Sequence, residues 1–227
     1  EAEVEYEDKT SVAIDVAFRV ADGADFAARI GLGAGVATTT PAVVIWTTTT
    51  WTLPANEAVA LGAEIDYALV LVPGTDAAPA RMLVLAADLV ADCATRYGVD
   101  PATVQVLARF KGEALEGLSL QHPFLEKQVP VILGEHVTLE AGTGAVHTAP
   151  AHGQEDFVVG QRYRLPVVNP VGGDGRYLPG TPFVEGLGLE EAGAQFAGVA
   201  ALPPPAWLAA LHAAAARAGG AAPGPVP

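Results

Sequence analysis

The sequence predicts an α+β fold with a β-barrel-like core of short strands and helices packed outside it. The chain has 227 residues, of which 51% are apolar, and this is enough to bury a substantial core. Its 25 glycines and 18 prolines predict short elements joined by many turns. Short apolar segments of strand type outnumber those of helix type. We expect a single domain over residues 1–220 and a disordered tail over 221–227.

Several strands are predicted in the first half of the chain. Apolar residues alternate with other residues at Ile14, Val16, Phe18 and Val20, which is typical of a half-buried strand. Residues 22–36 form a connection with little signal, and a second strand begins at 43–45. Segments 67–72 and 81–86 are expected to pair as a hairpin across 73–79.

One helix is predicted at 89–97, with Asp88 as its N-cap and Gly98 as its C-terminal stop. Cys93 lies inside this helix and is interpreted as a small core residue rather than a nucleophile. Because Cys93 is the single cysteine, an internal disulfide is excluded, and the composition fits a reducing, cytoplasmic location.

The second half of the chain continues with strands predicted at 104–110, 129–133, 136–139 and 165–169. Residues 172–175 read Gly-Gly-Asp-Gly and indicate a tight turn. An alanine-rich helix is expected at 206–218, started by Pro205 and ended by Gly219 and Gly220.

Composition also excludes some classes of function. The chain has 12 Lys and Arg against 26 Asp and Glu, a net charge of −14 that argues against independent, tight binding of a nucleic-acid backbone. The sequence has neither a long apolar run nor a signal peptide, so no membrane association is expected. Residues 1–8 are acidic and lack a start methionine, which suggests a fragment of a longer protein.

Residues 142–157, GTGAVHTAPAHGQEDF, are the richest in chemistry-bearing side chains. A strand is expected to end at 145–146, Pro150 breaks it, and a helix follows over 154–163. Glu155 and Asp156 fall in the first turn of that helix, where the dipole stabilises a carboxylate by roughly 0.3–1 kcal/mol. Such a carboxylate stays charged at pH 7 and can bind an ammonium group, although either acid alone also simply favours a helix start.

A second interpretation of this stretch is a metal site. His147, His152, Glu155 and Asp156 are metal-ligand types, but their spacing matches no standard zinc signature. No cofactor is therefore expected.

The other unusual stretch is the threonine run between Trp46 and Trp51. Threonine is a good strand former, so one interpretation is an ordinary strand with hydroxyls on its wet face. The alternative is a surface of hydroxyl donors and acceptors that holds a small polar substrate or a water.

Three motifs together carry a family resemblance: TTTTWTLPAN, GTGAVHTAPAHGQEDF and NPVGGDGRYLPGT. In this order they resemble the editing domain that is inserted in bacterial isoleucyl-tRNA synthetases, and the opening EVEYEDKTSVAIDVAF resembles the strand that enters it. The likeness covers residues 1–187. Related valyl and leucyl domains carry Arg-Pro after the threonines, where this chain has Thr50 and Trp51.

The resemblance implies the fold of a class I synthetase editing domain and the hydrolysis of a wrongly charged amino acid, valine above all, from isoleucine tRNA. Its partners would be the 3′ end of mischarged tRNA(Ile) and the rest of a synthetase. A positioned water attacks the ester in this family, helped by the neighbouring ribose hydroxyl, without a conventional protein nucleophile.

Roles follow for individual residues from the same resemblance. Asp156 would anchor the α-ammonium of the substrate, and the bulk of His147 would close the pocket to isoleucine. Asn56 would take part in substrate discrimination. The catalytic set implied is Asp156, His147, Thr48 and Thr49, and the substrate-binding set is Thr47, Thr52, Asn56, Trp46 and Gly144.

The chain departs from the family pattern at a few positions. Thr50 and Val12 stand where proline is common, and Ala151 replaces a usual glycine, which would strain the turn if its φ were positive. Thr50, Ala151 and the altered C-terminal sequence after residue 187 leave open a second hypothesis, an inactive editing-domain copy that acts as a tRNA-end binding or interaction module.

Overall fold

The fold, seen in a computed structural model that describes residues 13–32, 40–74 and 79–200, is a mixed sheet of nine strands with four α-helices. The strands are β1 Ile14–Val20, β2 Ala42–Thr47, β3 Ala58–Leu61, β4 Asp66–Val72, β5 Arg81–Ala86, β6 Gln105–Lys111, β7 Ser119–Gln121, β8 Gln128–Leu133 and β9 Ala145–Thr148. Their order across the sheet is β6-β4-β5-β2-β1-β7-β8-β3-β9.

Most neighbouring strands are antiparallel, but two pairs are parallel. β2 runs parallel to β5, and β3 runs parallel to β8. The expected core of short strands with helices outside is confirmed, whereas the sheet is open rather than a closed barrel, with β6 and β9 at its two ends. The segment just before β9 nevertheless contacts the end of β5: the Ala86 amide donates to the Thr143 carbonyl over 2.8 Å.

The helices are α1 Gly23–Arg29, α2 Val90–Arg96, α3 Gln154–Tyr163 and α4 Leu189–Ala200, and short 3-10 helices span Thr50–Ala55, Ala87–Leu89, Pro101–Thr103 and Gly112–Leu115. The sequence predicted α3 and, within one residue at each end, α2. It missed α1, although the Asp22 carboxylate accepts from the Ala24 and Asp25 amides as an N-cap. It also missed α4.

Three local predictions are wrong. Asp88 is not the cap of α2, because a 3-10 turn precedes that helix and Leu89 takes the N-cap position. Residues 136–139 form no strand, because the chain turns at 135–136 and bends at 139–140. Residues 165–169 form no strand within the described chain, and Pro166 and the following Pro170 lack the amide that a ladder needs. The helix expected at 206–218 and the tail at 221–227 lie outside the described residues.

The other predicted strands, the 81–86 hairpin and the turn at 172–175 are confirmed. The larger of two apolar clusters consists mainly of side chains from β1, β2, β4 and β5, and Phe18, Ile45 and Leu69 are fully buried in it. Cys93 belongs to this cluster, as expected for a core residue. A smaller cluster joins Val159 of α3 to Ala58 and Ala60 of β3. This contact sets α3 beside β9. No helix in the described part of the chain is long and apolar enough to cross a membrane.

Candidate active site

The threonine run leaves the sheet instead of continuing as a strand. β2 ends at Thr47, whose hydroxyl accepts from the Thr49 amide over 3.0 Å and turns the chain. The 3-10 helix Thr50–Ala55, here named the site helix, then leads through Asn56 into β3. The interpretation as a plain strand is therefore wrong.

Three predicted site residues meet in one buried hydrogen-bond network. His147 on β9 lies opposite Val59 of β3, and its ring contacts the site helix at Thr52. Its Nε2 is 2.9 Å from Thr52 Oγ1, and its Nδ1 is 3.4 Å from Asn56 Nδ2. Thr52, Asn56 and His147 are all buried.

The network defines the protonation state of the ring. Thr52 has one hydroxyl proton, and it donates that proton to the Thr49 carbonyl over 2.8 Å. Thr52 must then accept from His147 Nε2–H, which leaves Nδ1 as an acceptor facing the Asn56 amide. Burial lowers the pKa of His147 to about 4, against a smaller opposing effect of the Asp156 charge, so the neutral ring is the stable form at pH 7.

Asp156 lies in the first turn of α3, as predicted, but it is half-buried rather than exposed. Its Oδ2 accepts from the Ala149 amide over 2.8 Å, just beyond the end of β9. The carboxylate therefore ties the start of α3 to the strand that carries His147, and its negative charge acts on the His147 ring.

The remaining predicted residues fall into two groups. Thr48 and Thr49 are exposed on the turn between β2 and the site helix, while Thr47 is buried. Trp46 and Gly144 make contacts within the fold. Trp46 packs against Gly142. Gly144 has a φ of 78°, and its carbonyl accepts a hydrogen bond from the Tyr67 hydroxyl. A Cβ at Gly144 would lie 2.3 Å from the Ala86 side chain, so only glycine fits.

The metal interpretation gains no support. Within the residues that the structure describes, no three His, Cys, Asp or Glu side chains are grouped so that they could hold a metal ion. His147 turns to Thr52 and Asn56, whereas the His152 ring packs edge-on against Trp51 at 5.1 Å between centroids.

Two of the departures are accommodated. The Thr50 hydroxyl donates to the Gly193 carbonyl of α4 over 3.0 Å, a bond that proline cannot make, and so fastens the site helix to α4. Ala151 is not among the described non-glycine residues with positive φ, so the turn is unstrained there. Val12 lies outside the described residues.

Sequence reasoning missed two residues that hold the site helix from the loop between β7 and β8. His122 Nε2 donates to the Leu53 carbonyl over 3.2 Å, and Lys127 Nζ contacts the Asn56 carbonyl. Both residues lie far from the site in the sequence and outside any recognisable motif, so no local signal identifies them.

Comparison with known proteins identifies relatives of this chain. Residues 94–182 match the family model described as leucyl-tRNA synthetase, editing domain. The chain is 57% identical over 192 residues to the isoleucine–tRNA ligase of Thioalkalivibrio sulfidiphilus, covering 85% of this chain and 20% of that protein. It is 56% identical over 187 residues to the ligase of Alkalilimnicola ehrlichii, covering 82% of this chain and 19% of that protein. The chain thus spans about a fifth of the length of these relatives.

Solved structures support the same fold. The editing domain of the P. falciparum cytosolic leucyl-tRNA synthetase superposes with a TM-score of 0.56 at 13% identity, over 67% of this chain and 65% of that one. The P. knowlesi domain gives the same TM-score, 0.56, at 13% identity, over 67% and 63%.

Sequence defines the class: residues 94–182 match a synthetase editing-domain model and 85% of the chain aligns with an isoleucine–tRNA ligase at 57% identity, so the chain belongs with the editing domains of aminoacyl-tRNA synthetases. The mixed open sheet is consistent with that class. Within it, this is an editing domain of the isoleucine–tRNA ligase type.

Proposed function

We propose that the domain hydrolyses the ester of mischarged valyl-tRNA(Ile) and spares isoleucyl-tRNA(Ile). The need for such a step is general, since one methylene changes binding by only ~1–3 kcal/mol, and isoleucyl enzymes facing valine are the known example of this limit. A second pocket that admits only the smaller side chain supplies the missing discrimination.

The observation that carries the proposal is the fixed, neutral His147 ring. A ring held at both nitrogens, by Thr52 and Asn56, is a rigid wall rather than a mobile side chain. Such a wall can reject a larger side chain by steric exclusion. A ring whose pKa is lowered to about 4 is also a poor general base at pH 7, which favours the steric role over proton transfer.

Asp156 is the group proposed to bind the substrate ammonium. Its Oδ2 is engaged by the Ala149 amide, and its charge is not neutralised by any of the salt bridges among the described residues. Asn56 Oδ1 is buried and lacks a partner within the described chain, so it is free to accept from the ammonium or from a water.

The proposed chemistry is an attack by a positioned water. The water adds to the ester carbonyl, and the bond to the terminal ribose oxygen breaks, which releases valine and leaves the tRNA intact. The neighbouring ribose hydroxyl assists, and the exposed hydroxyls of Thr48 and Thr49 are the proposed contacts for the acceptor end. Catalysis is then mainly positioning and electrostatics.

The test is a deacylation assay of the 227-residue chain on Val-tRNA(Ile) and Ile-tRNA(Ile). We expect valine release well above the spontaneous rate and isoleucine release near it. Asp156→Asn should abolish the activity, whereas Glu155→Gln, a change at the exposed neighbouring carboxylate in the same turn, should preserve it. A folded chain that releases neither amino acid would instead favour the inactive binding module.

A further inference from the structure

The loop of residues 122–127, between β7 and β8, makes hydrogen bonds to the C-terminal end of the site helix. This loop is itself braced, because the His122 amide donates to the Lys127 carbonyl over 2.9 Å and the Gln121 side chain donates to the same carbonyl over 3.1 Å. Two of its side chains contact the two ends of one turn, Leu53 to Asn56.

The His122 ring binds the Leu53 end of that turn. It is buried, its Nδ1 accepts from the Leu125 amide over 3.1 Å, and its Nε2 donates to the Leu53 carbonyl. Lys127 grips the other end: its ammonium contacts the Asn56 carbonyl and the Glu57 carboxylate, the latter over 2.8 Å. The Glu57 side chain is 11% exposed and the Lys127 side chain 28%, so this ion pair is partly shielded from water.

Lys127 is thus connected to the His147 ring through one residue, Asn56. Its carbonyl partner belongs to Asn56, whose side-chain amide faces His147 Nδ1. A shift of the Asn56 backbone would move that amide and release one of the two contacts that orient the ring. A loosened ring would admit a longer side chain.

We propose that Lys127 is a positioning residue that fixes Asn56, and through it His147, and so helps to set the size limit of the pocket. This inference rests on the proposed function. The ammonium is suited to the task because a charge-assisted hydrogen bond is about twice as strong as a neutral one.

The experiment separates positioning from charge pairing with three variants of the full chain. Glu57→Gln keeps Lys127 on the Asn56 carbonyl but removes the carboxylate. Lys127→Met with Glu57→Gln removes both without leaving a shielded carboxylate unpaired. Lys111→Met is the matched control, since Lys111 Nζ also joins a carbonyl, of Glu64, to a carboxylate, of Asp66, but at the exposed end of β6.

Two readouts are needed: the ratio of isoleucine to valine release, and the ¹⁵N NMR signals of the His147 ring. We expect the double variant to raise the ratio roughly tenfold and to shift the His147 signals, with Glu57→Gln and Lys111→Met close to the parent. An unchanged ratio and unchanged ring signals in the double variant would overturn the proposal. If the parent itself releases no valine, the proposed function fails, and the NMR signals alone decide whether Lys127 positions the ring.

Discussion

His147 Nε2 lies 2.9 Å from Thr52 Oγ1, and the proton in this bond belongs to the histidine. The direction of this hydrogen bond follows because the Thr52 hydroxyl already donates its single proton to the Thr49 carbonyl. A threonine on the site helix thus selects the tautomer of a histidine on β9, 95 positions away in the sequence.

The first prediction tests this bond. Thr52→Val leaves a buried N–H of His147 without an acceptor and should lower the free energy of unfolding by about 1–3 kcal/mol. Thr52→Ser keeps the hydroxyl and should lose much less. Urea unfolding of both variants is the measurement, and equal losses would show that the bond contributes nothing.

The second prediction concerns Asp156. Because its carboxylate accepts from the amide of the buried Ala149, Asp156→Ala should destabilise the domain by about 1–3 kcal/mol, more than a helix-dipole effect alone would cost. Asp156→Asn retains an acceptor oxygen and should unfold near the parent midpoint while losing deacylation. Comparable stability of the alanine and asparagine variants would mean that the Ala149 bond is unimportant.

A third prediction concerns pH. His147 and His122 are buried and neutral, with pKa values lowered to about 4 and about 3 from the ordinary 6.5. Below pH 6.5 the unfolded chain takes up protons that the folded chain does not, so stability should fall as the pH drops from 6.5 to 4. The slope is roughly 1.4 kcal/mol per pH unit for each histidine.

Unfolding free energies measured at several pH values check this slope. His147→Gln removes one of these two buried histidines and should flatten the dependence between pH 6.5 and 4. An identical slope in parent and variant would mean that His147 titrates normally in the folded domain.

The fourth prediction concerns Thr50. Its hydroxyl holds α4 through Gly193, so Thr50→Val should cost about 0.5–1.5 kcal/mol of stability. Thr49→Val, at the exposed neighbouring position, should cost less. Thermal unfolding of the two variants compares them directly, and a larger loss at Thr49 would contradict the assignment.

The sequence predicts those elements whose signal is local. The β-strand alternation at 14–20 and the Pro150 break before α3 depend on neighbouring residues, and both predictions are confirmed. The parallel pairings of β2 with β5 and of β3 with β8 depend on chain closure over long distances, and no local pattern encodes them.

The site divides in the same way. Family motifs contain Thr52, Asn56 and His147, so the sequence could point to them, and the structure brings these three together. His122 and Lys127 belong to no motif. Their roles arise only because β7 and β8 carry their loop beneath the site helix.

The most direct test of the account is His147→Ala assayed on correctly charged Ile-tRNA(Ile). If the ring limits pocket size, the variant should release isoleucine at least about tenfold faster than the parent while still releasing valine. Adding Asp156→Asn should abolish both activities, which would locate the gain in the same pocket. Equal loss of activity on both substrates would contradict the account and make His147 a participant in the chemistry instead.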